Sequence, residues 1–159
     1  MFEDFSDNAQ IWIYGFDKTL TSDDKKVVRD YLDNFIRQWH SHKVPVHGDY
    51  SIMYDRFVIL AAETDVSGCS IDSSVGIFKT LQENYNLNAL NQDLVYYKNQ
   101  NSVISLSRDE FQSLVDKGNI DPDTPVFNLA LTGLSELRNG QWELPFSKSW
   151  HGQVFKKSA

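Results

Sequence analysis

Cysteine is almost absent from this chain. Of its 159 residues only Cys69 carries a thiol, which excludes a disulfide framework and a cysteine-cluster zinc site. Positive charge is scarce as well: fifteen Lys and Arg stand against twenty-two Asp and Glu, a net charge of −7. No basic run is longer than Lys25-Lys26 or Lys156-Lys157, so the electrostatic footprint of a nucleic-acid or anionic-membrane partner is missing. Long apolar runs are missing too; none approaches the roughly 20 residues that cross a bilayer. Met1–Asp7 is acidic, without the cationic start and apolar stretch of a signal peptide, and no Asn-x-Ser/Thr sequon occurs. These absences predict a reduced, cytoplasmic setting, in which a lone thiol survives. None of the eight glycines is followed by Lys. Gly15-Phe16-Asp17-Lys18-Thr19 is therefore no phosphate loop, and nucleotide hydrolysis of the Walker type is excluded.

What is present is globular: 41% of residues are hydrophobic and 13% aromatic. The length predicts one compact domain over 1–159. At this size about 70% of the unfolded chain's surface is hidden, so neither metal nor disulfide is needed to hold it together, and no cofactor is expected. Gln10–Gly15 is a short, nearly apolar β-type run, expected to be covered on both faces. Thr21 or Ser22 caps a long helix with Asp23 and Asp24 in its first turn. Its stripe of Val28, Tyr31, Leu32, Phe35, Ile36 and Trp39 carries it to about Ser41 or Lys43, ahead of Pro45. Strands follow at about Asp49–Tyr54 and Arg56–Glu63, then a small-residue loop from Thr64 to Ser70, then a helix over Ile71–Tyr85. A hairpin over 93–106 turns at Asn99-Gln100-Asn101. Ser107-Arg108-Asp109-Glu110 is a capping box opening a short helix, which Gly118 ends in the left-handed conformation. Asn139-Gly140 fits either a hairpin turn or the end of a short helix over Thr132–Asn139; the helix is preferred, with Trp142–Phe155 closing over the core.

The fold class is therefore α+β, with a ferredoxin-like βαββαβ half over 8–92 and an α+β extension, hairpin–helix–strand, over 93–159. In that layout the strands at 10–15 and 56–63 lie parallel and adjacent in the centre of the sheet. Loops 15–21 and 64–70 then leave at one edge, each feeding a helix N-terminus, where a ligand would find unpaired N–H groups.

Ser67-Gly68-Cys69-Ser70-Ile71-Asp72 is the most distinctive stretch. It places a thiol at a helix start, where the dipole favours thiolate, with Ser67, Gly68, Ser70, Asp72 and Thr21 as expected ligand-binding residues. Cys69 admits two readings, a reactive thiol or a small half-buried cysteine in a serine-rich cap. A catalytic thiol needs a base. His40, His42 and His47 lie beyond the first helix, about 30 Å away in this layout, which leaves His151 as the partner. On a helix, His40 and His42 point too far apart to clamp one ion, so no metal site is expected. Trp12, Tyr14, Phe35, Trp39, Tyr54 and Phe57 fit a core better than a stacking platform.

Trp12-Ile13-Tyr14, Leu20-Thr21, Ser67-Gly68-Cys69-Ser70-Ile71-Asp72, Val126-Phe127-Asn128 and Ser149-Trp150-His151 together resemble a small family of uncharacterised bacterial proteins. Its members often carry an ABC transporter ATPase label, which the missing phosphate loop rules out here. The run from Val95-Tyr96-Tyr97 through Leu106-Ser107, Gly118-Asn119-Ile120 and Asp123-Thr124-Pro125 resembles bacterial GYF-like modules, which implies protein interaction. The leading expectation is a non-enzymatic binding or accessory protein, taking a small molecule or a protein at a pocket over 64–72. The alternative is a thiol-dependent hydrolase or transferase using Cys69, with His151 as base and helix N–H groups as oxyanion donors.

Overall fold

The computed structural model describes residues 1–63 and 68–158, with the backbone alone for 68–70. The element order is β1 (Gln10–Gly15), α1 (Ser22–Gln38), β2 (His40–Ser41), β3 (Val44–Pro45), β4 (Gly48–Met53), β5 (Phe57–Ala62) and α2 (Gly68–Tyr85). There follow β6 (Leu94–Asn99), β7 (Ser102–Ser107), α3 (Arg108–Asp116), β8 (Pro125–Phe127), α4 (Leu134–Arg138), β9 (Glu143–Pro145), a 3-10 turn at Phe146–Lys148 and α5 (Trp150–Val154). The class is α+β, as expected.

Capping chemistry sets the helix starts. Thr21 accepts from the Asp24 amide while Asp24 caps back onto Thr21, and Ser107 and Glu110 repeat that box on α3. Helix α1 stops earlier than its stripe suggests. Trp39 turns extended (φ −71°, ψ 123°), its carbonyl accepting from the Val46 amide. His42 and Lys43, both at positive φ, make the tight turn between β2 and β3.

Beside the two-stranded β2-β3 sheet, one larger sheet has the order β1-β5-β4 and the other β7-β6-β8-β9, with every pairing antiparallel. Strand β5 is apolar throughout because each of its faces meets a layer. Val58 packs with Val28, Leu32, Phe78 and Leu81 of α1 and α2, and Leu60 and Ala62 with Phe35 and Trp39. Phe57, Ile59 and Ala61 face Tyr96, Phe127 and Trp142 of the second sheet's layer. That sheet's outer face, Val95, Tyr97 and Val126, is covered by Phe111 and Val115 of α3 and by Phe155. The result is helices, sheet, sheet, helices.

The ferredoxin-like unit is not completed. β1 and β5 are neighbours but antiparallel, Gln10 facing Ala62 and Gly15 facing Phe57, and β1 lies at the edge instead of the centre. Loop 15–21 therefore leaves at the opposite end of the sheet from the end of β5, and the two helix starts do not meet. The strand that should follow α2 beside β1 does not form, because β6 joins the second sheet. Local chemistry explains the diversion: Asn88 Oδ1 takes the Leu90 amide at 3.1 Å and Asn91 Oδ1 the Asp93 amide at 3.0 Å. These turns hold 88–93 away from a ladder.

The two sheets are bolted together at Gly15. The Tyr96 hydroxyl donates to the Gly15 carbonyl at 2.7 Å, and a Cβ on Gly15 would stand 2.6 Å from Tyr96 Cζ. Gly15→Ala should cost about 1–3 kcal/mol, the range for overpacking a filled interior. Chemical denaturation of Gly15→Ala, Tyr96→Leu and the double variant checks this. The double variant should lose less than the sum of the singles, since the smaller side chain vacates the clashing volume.

Candidate functional site

Because β1 is an edge strand, its outward backbone groups face whatever lies beside it. A cleft of about 400 Å³ opens there, walled by Ile13, Tyr14 and Gly15 of β1, by 89–92, by Leu129 and Ala130, and by Arg108, Trp150 and His151. Five separate parts of the chain converge on it. Arg108 is the first residue of α3, next to its capping Ser107, at the positive end of the helix dipole where a cation is disfavoured. Its guanidinium lies 5.6 Å from the centre of the Trp150 ring, and among the described residues it has no carboxylate partner.

His151 lies in the short helix α5 and is 1% exposed. Its Nδ1 is 2.7 Å from the buried Ser149 hydroxyl, and its ring stacks on Trp150 with centroids 3.8 Å apart. Burial, and secondarily the Arg108 charge, push its pKa down to about 4, so the imidazole is neutral at pH 7. Burial raises the Tyr14 hydroxyl pKa, partly opposed by its hydrogen bond with Ser74 at 3.0 Å. The cleft thus offers one solvent-facing cation, one neutral imidazole and the open edge of a strand.

Of the expected ligand-binding residues, Thr21 and Asp72 are described, and they lie apart. Thr21 is occupied in capping α1 at the Gly15 end of the sheet, where Leu20 donates to the Asp55 carbonyl. Asp72 is exposed, in the α2 helix that starts at the other end. Ser67 and the side chains of Cys69 and Ser70 lie outside the described residues, Gly68 is described by its backbone alone, and the thiol half of the Cys69–His151 pair is thus outside them too. The histidine layout is also corrected. The His47 carbonyl accepts from the Glu63 amide, and β2, with His40, packs against α2. These histidines therefore sit at the end where β5 finishes, a consequence of its antiparallel course. The Gly15–Thr19 stretch is a strut: the buried Arg56 guanidinium donates to the Phe16 carbonyl and Thr19 hydroxyl, at 3.4 and 3.3 Å. Of the cleft residues, His151 is also singled out by the sequence, but as a base for Cys69. Arg108 was read only as part of a capping box, and its lone cation on a helix's first turn was the available signal.

No protein-family model matches the chain, no curated protein matches it, and no solved structure matches its fold.

A histidine whose pKa is lowered on folding contributes stability that is fully present above its unfolded value of about 6.5 and is lost as pH falls toward 4. Between pH 7.5 and pH 5 the protein should lose on the order of 2 kcal/mol through this group. His151→Gln should flatten that pH dependence, read as the difference in denaturation midpoints at the two pH values. An equal slope in wild type and variant would contradict the assignment.

Proposed function

We propose that this chain is a binding protein whose ligand, carrying an anionic group, enters the cleft beside Gly15 and Tyr14. One observation carries the reading: Arg108 stands over the cavity with no carboxylate partner among the described residues, beside a histidine kept neutral by burial. A cation left unpaired at a concave, largely apolar site favours an anionic ligand, whose carboxylate or phosphate a guanidinium grips through two parallel N–H donors. The resemblance of the 94–138 region, which contains Arg108, to GYF-like interaction modules points in the same direction. The cleft replaces 64–72 as the seat of the ligand in this reading.

The test is a thermal-shift screen of small carboxylates and organic phosphates against wild type and Arg108→Glu. At least one compound should raise the wild-type melting temperature saturably. Arg108→Glu should weaken its binding by 10-fold or more, since the favourable charge contact becomes repulsive. Equal shifts in both proteins would place the ligand elsewhere.

A further inference from the structure

The edge of β1 carries more than a charge. Its outward-facing residues are fixed by register: Ile11 donates to the Thr132 carbonyl at 3.0 Å, and Leu134 to the Ala9 carbonyl at 2.9 Å, around a single bridge between Gln10 and Gly133. Odd-numbered residues of β1 therefore point away from β5. A continued ladder would send the Thr132 amide to the Ile11 carbonyl and the Ala130 amide to the Ile13 carbonyl. Neither bond forms. Thr132 N–H goes to Glu136 Oε1 at 3.1 Å and Ala130 N–H to Asn128 Oδ1 at 3.0 Å. The chain peels away after one bridge. On the other side, the Asn88 carbonyl accepts the Asp17 amide at 3.0 Å just past the end of β1, and Asn88 and Asn91 then turn 89–93 away by the same device.

What remains is a strand position with no strand in it. The Ile11 carbonyl, the Ile13 amide and carbonyl and the Gly15 amide make no hydrogen bond among the described residues. They repeat every second residue, about 6.6 Å apart, along two adjoining hollows of about 400 and 540 Å³ that share Ile13, Leu90 and Leu129. The open stretch from Ile11 to Gly15 is about 13 Å long and is stopped at one end by the Gln10–Gly133 bridge. Two cations flank it, Arg108 in one hollow and Lys79 in the other, and neither has an acid partner among the described residues.

We infer that the cleft takes a short acidic peptide segment of a partner protein, bound in extended form as an added strand on the free edge of β1. This rests on the proposed binding role of the cleft and names its ligand class. Main-chain hydrogen bonds to Ile13 and Gly15 give the peptide its register, as in other strand-addition complexes. Arg108 and Lys79 select carboxylates on it. Three or four residues fill the open edge.

The experiment uses the full chain and a synthetic tetrapeptide library rich in Asp and Glu, each peptide made with a free and with an amidated C-terminus. Binding is followed by fluorescence polarisation and by amide NMR. Acidic peptides should bind, and their Lys-substituted counterparts at least 10-fold more weakly. The Ile13 and Gly15 amides should gain exchange protection. N-methylation along the best peptide should abolish binding at every second residue and spare the positions between. Loss on amidation assigns the recognised carboxylate to the peptide terminus, and its absence assigns it to side chains. Small acids that bind in an Arg108-dependent way while no acidic peptide does would overturn this inference and leave the cleft's binding role standing. Peptide binding without the alternating pattern, or without protection at Ile13 and Gly15, overturns the strand geometry. Failure of small acids and peptides alike removes the binding role itself.

Discussion

The contact on which the architecture turns is the meeting of Gly15, Tyr96 and Arg56 between the two sheets. Arg56 is 7% exposed, and its guanidinium donates to the Ser105 hydroxyl at 2.8 Å as well as to the Phe16 carbonyl. Ser105 in turn donates to the Asp17 carbonyl. Burial lowers the Arg56 pKa, while the Asp17 charge works against that. A buried guanidinium is tolerated only where hydrogen bonds replace its water, and here they come from the turn after β1 and from β7. The same cluster aligns the end of β1 with β6, through the Tyr96 hydroxyl. The apolar layer of Phe57, Phe127 and Trp142 then closes around this joint, leaving only Arg56 Nε of the guanidinium without a partner among the described residues.

That joint also dictates where a site can exist. By drawing β6 against the face of the first sheet it removes β6 from the edge of β1, where a split β-α-β-β-α unit would otherwise receive its last strand. Four side chains finish the separation. Asn88, Asn91, Asn128 and Glu136 each take a main-chain amide that could have gone to a ladder. Local side-chain hydrogen bonds compete with strand pairing on equal terms, and with one bridge formed the balance tips toward the turns. The cleft is thus what is left when a sheet is stopped one strand early.

Much of this was legible from the residues. The capping boxes at Thr21 and Ser107, the left-handed Gly118 and Gly140, the 94–107 hairpin and the central place of β5 all follow from local chemistry and periodicity. Strand direction was not legible, because a short run such as Gln10–Gly15 pairs equally well either way and only its distant neighbours decide. The early end of α1 was missed because Trp39 continues the helical stripe but gains more against Phe35, with ring centroids 4.9 Å apart, and against Gly48, whose missing Cβ makes room for it. The asparagines spaced through 84–91 were a usable turn signal for the diversion before β6. The convergence of Arg108, His151 and β1 had no counterpart in sequence, since β1 lies more than ninety positions from either of the other two.

An open strand edge ordinarily invites aggregation, and native proteins blunt such edges. Here the blunting is geometric and electrostatic at once. The bridge at Gln10–Gly133 closes one end, so a long flat strand from another copy cannot run along β1. The walls at 88–93 and 128–132 admit an extended chain only over a few residues. A second copy of this protein, carrying a net charge of −7, is repelled at long range. A short segment whose carboxylates reach Arg108 and Lys79 replaces that repulsion with attraction at close quarters. The features that keep the edge from pairing indiscriminately are therefore the ones that make it selective.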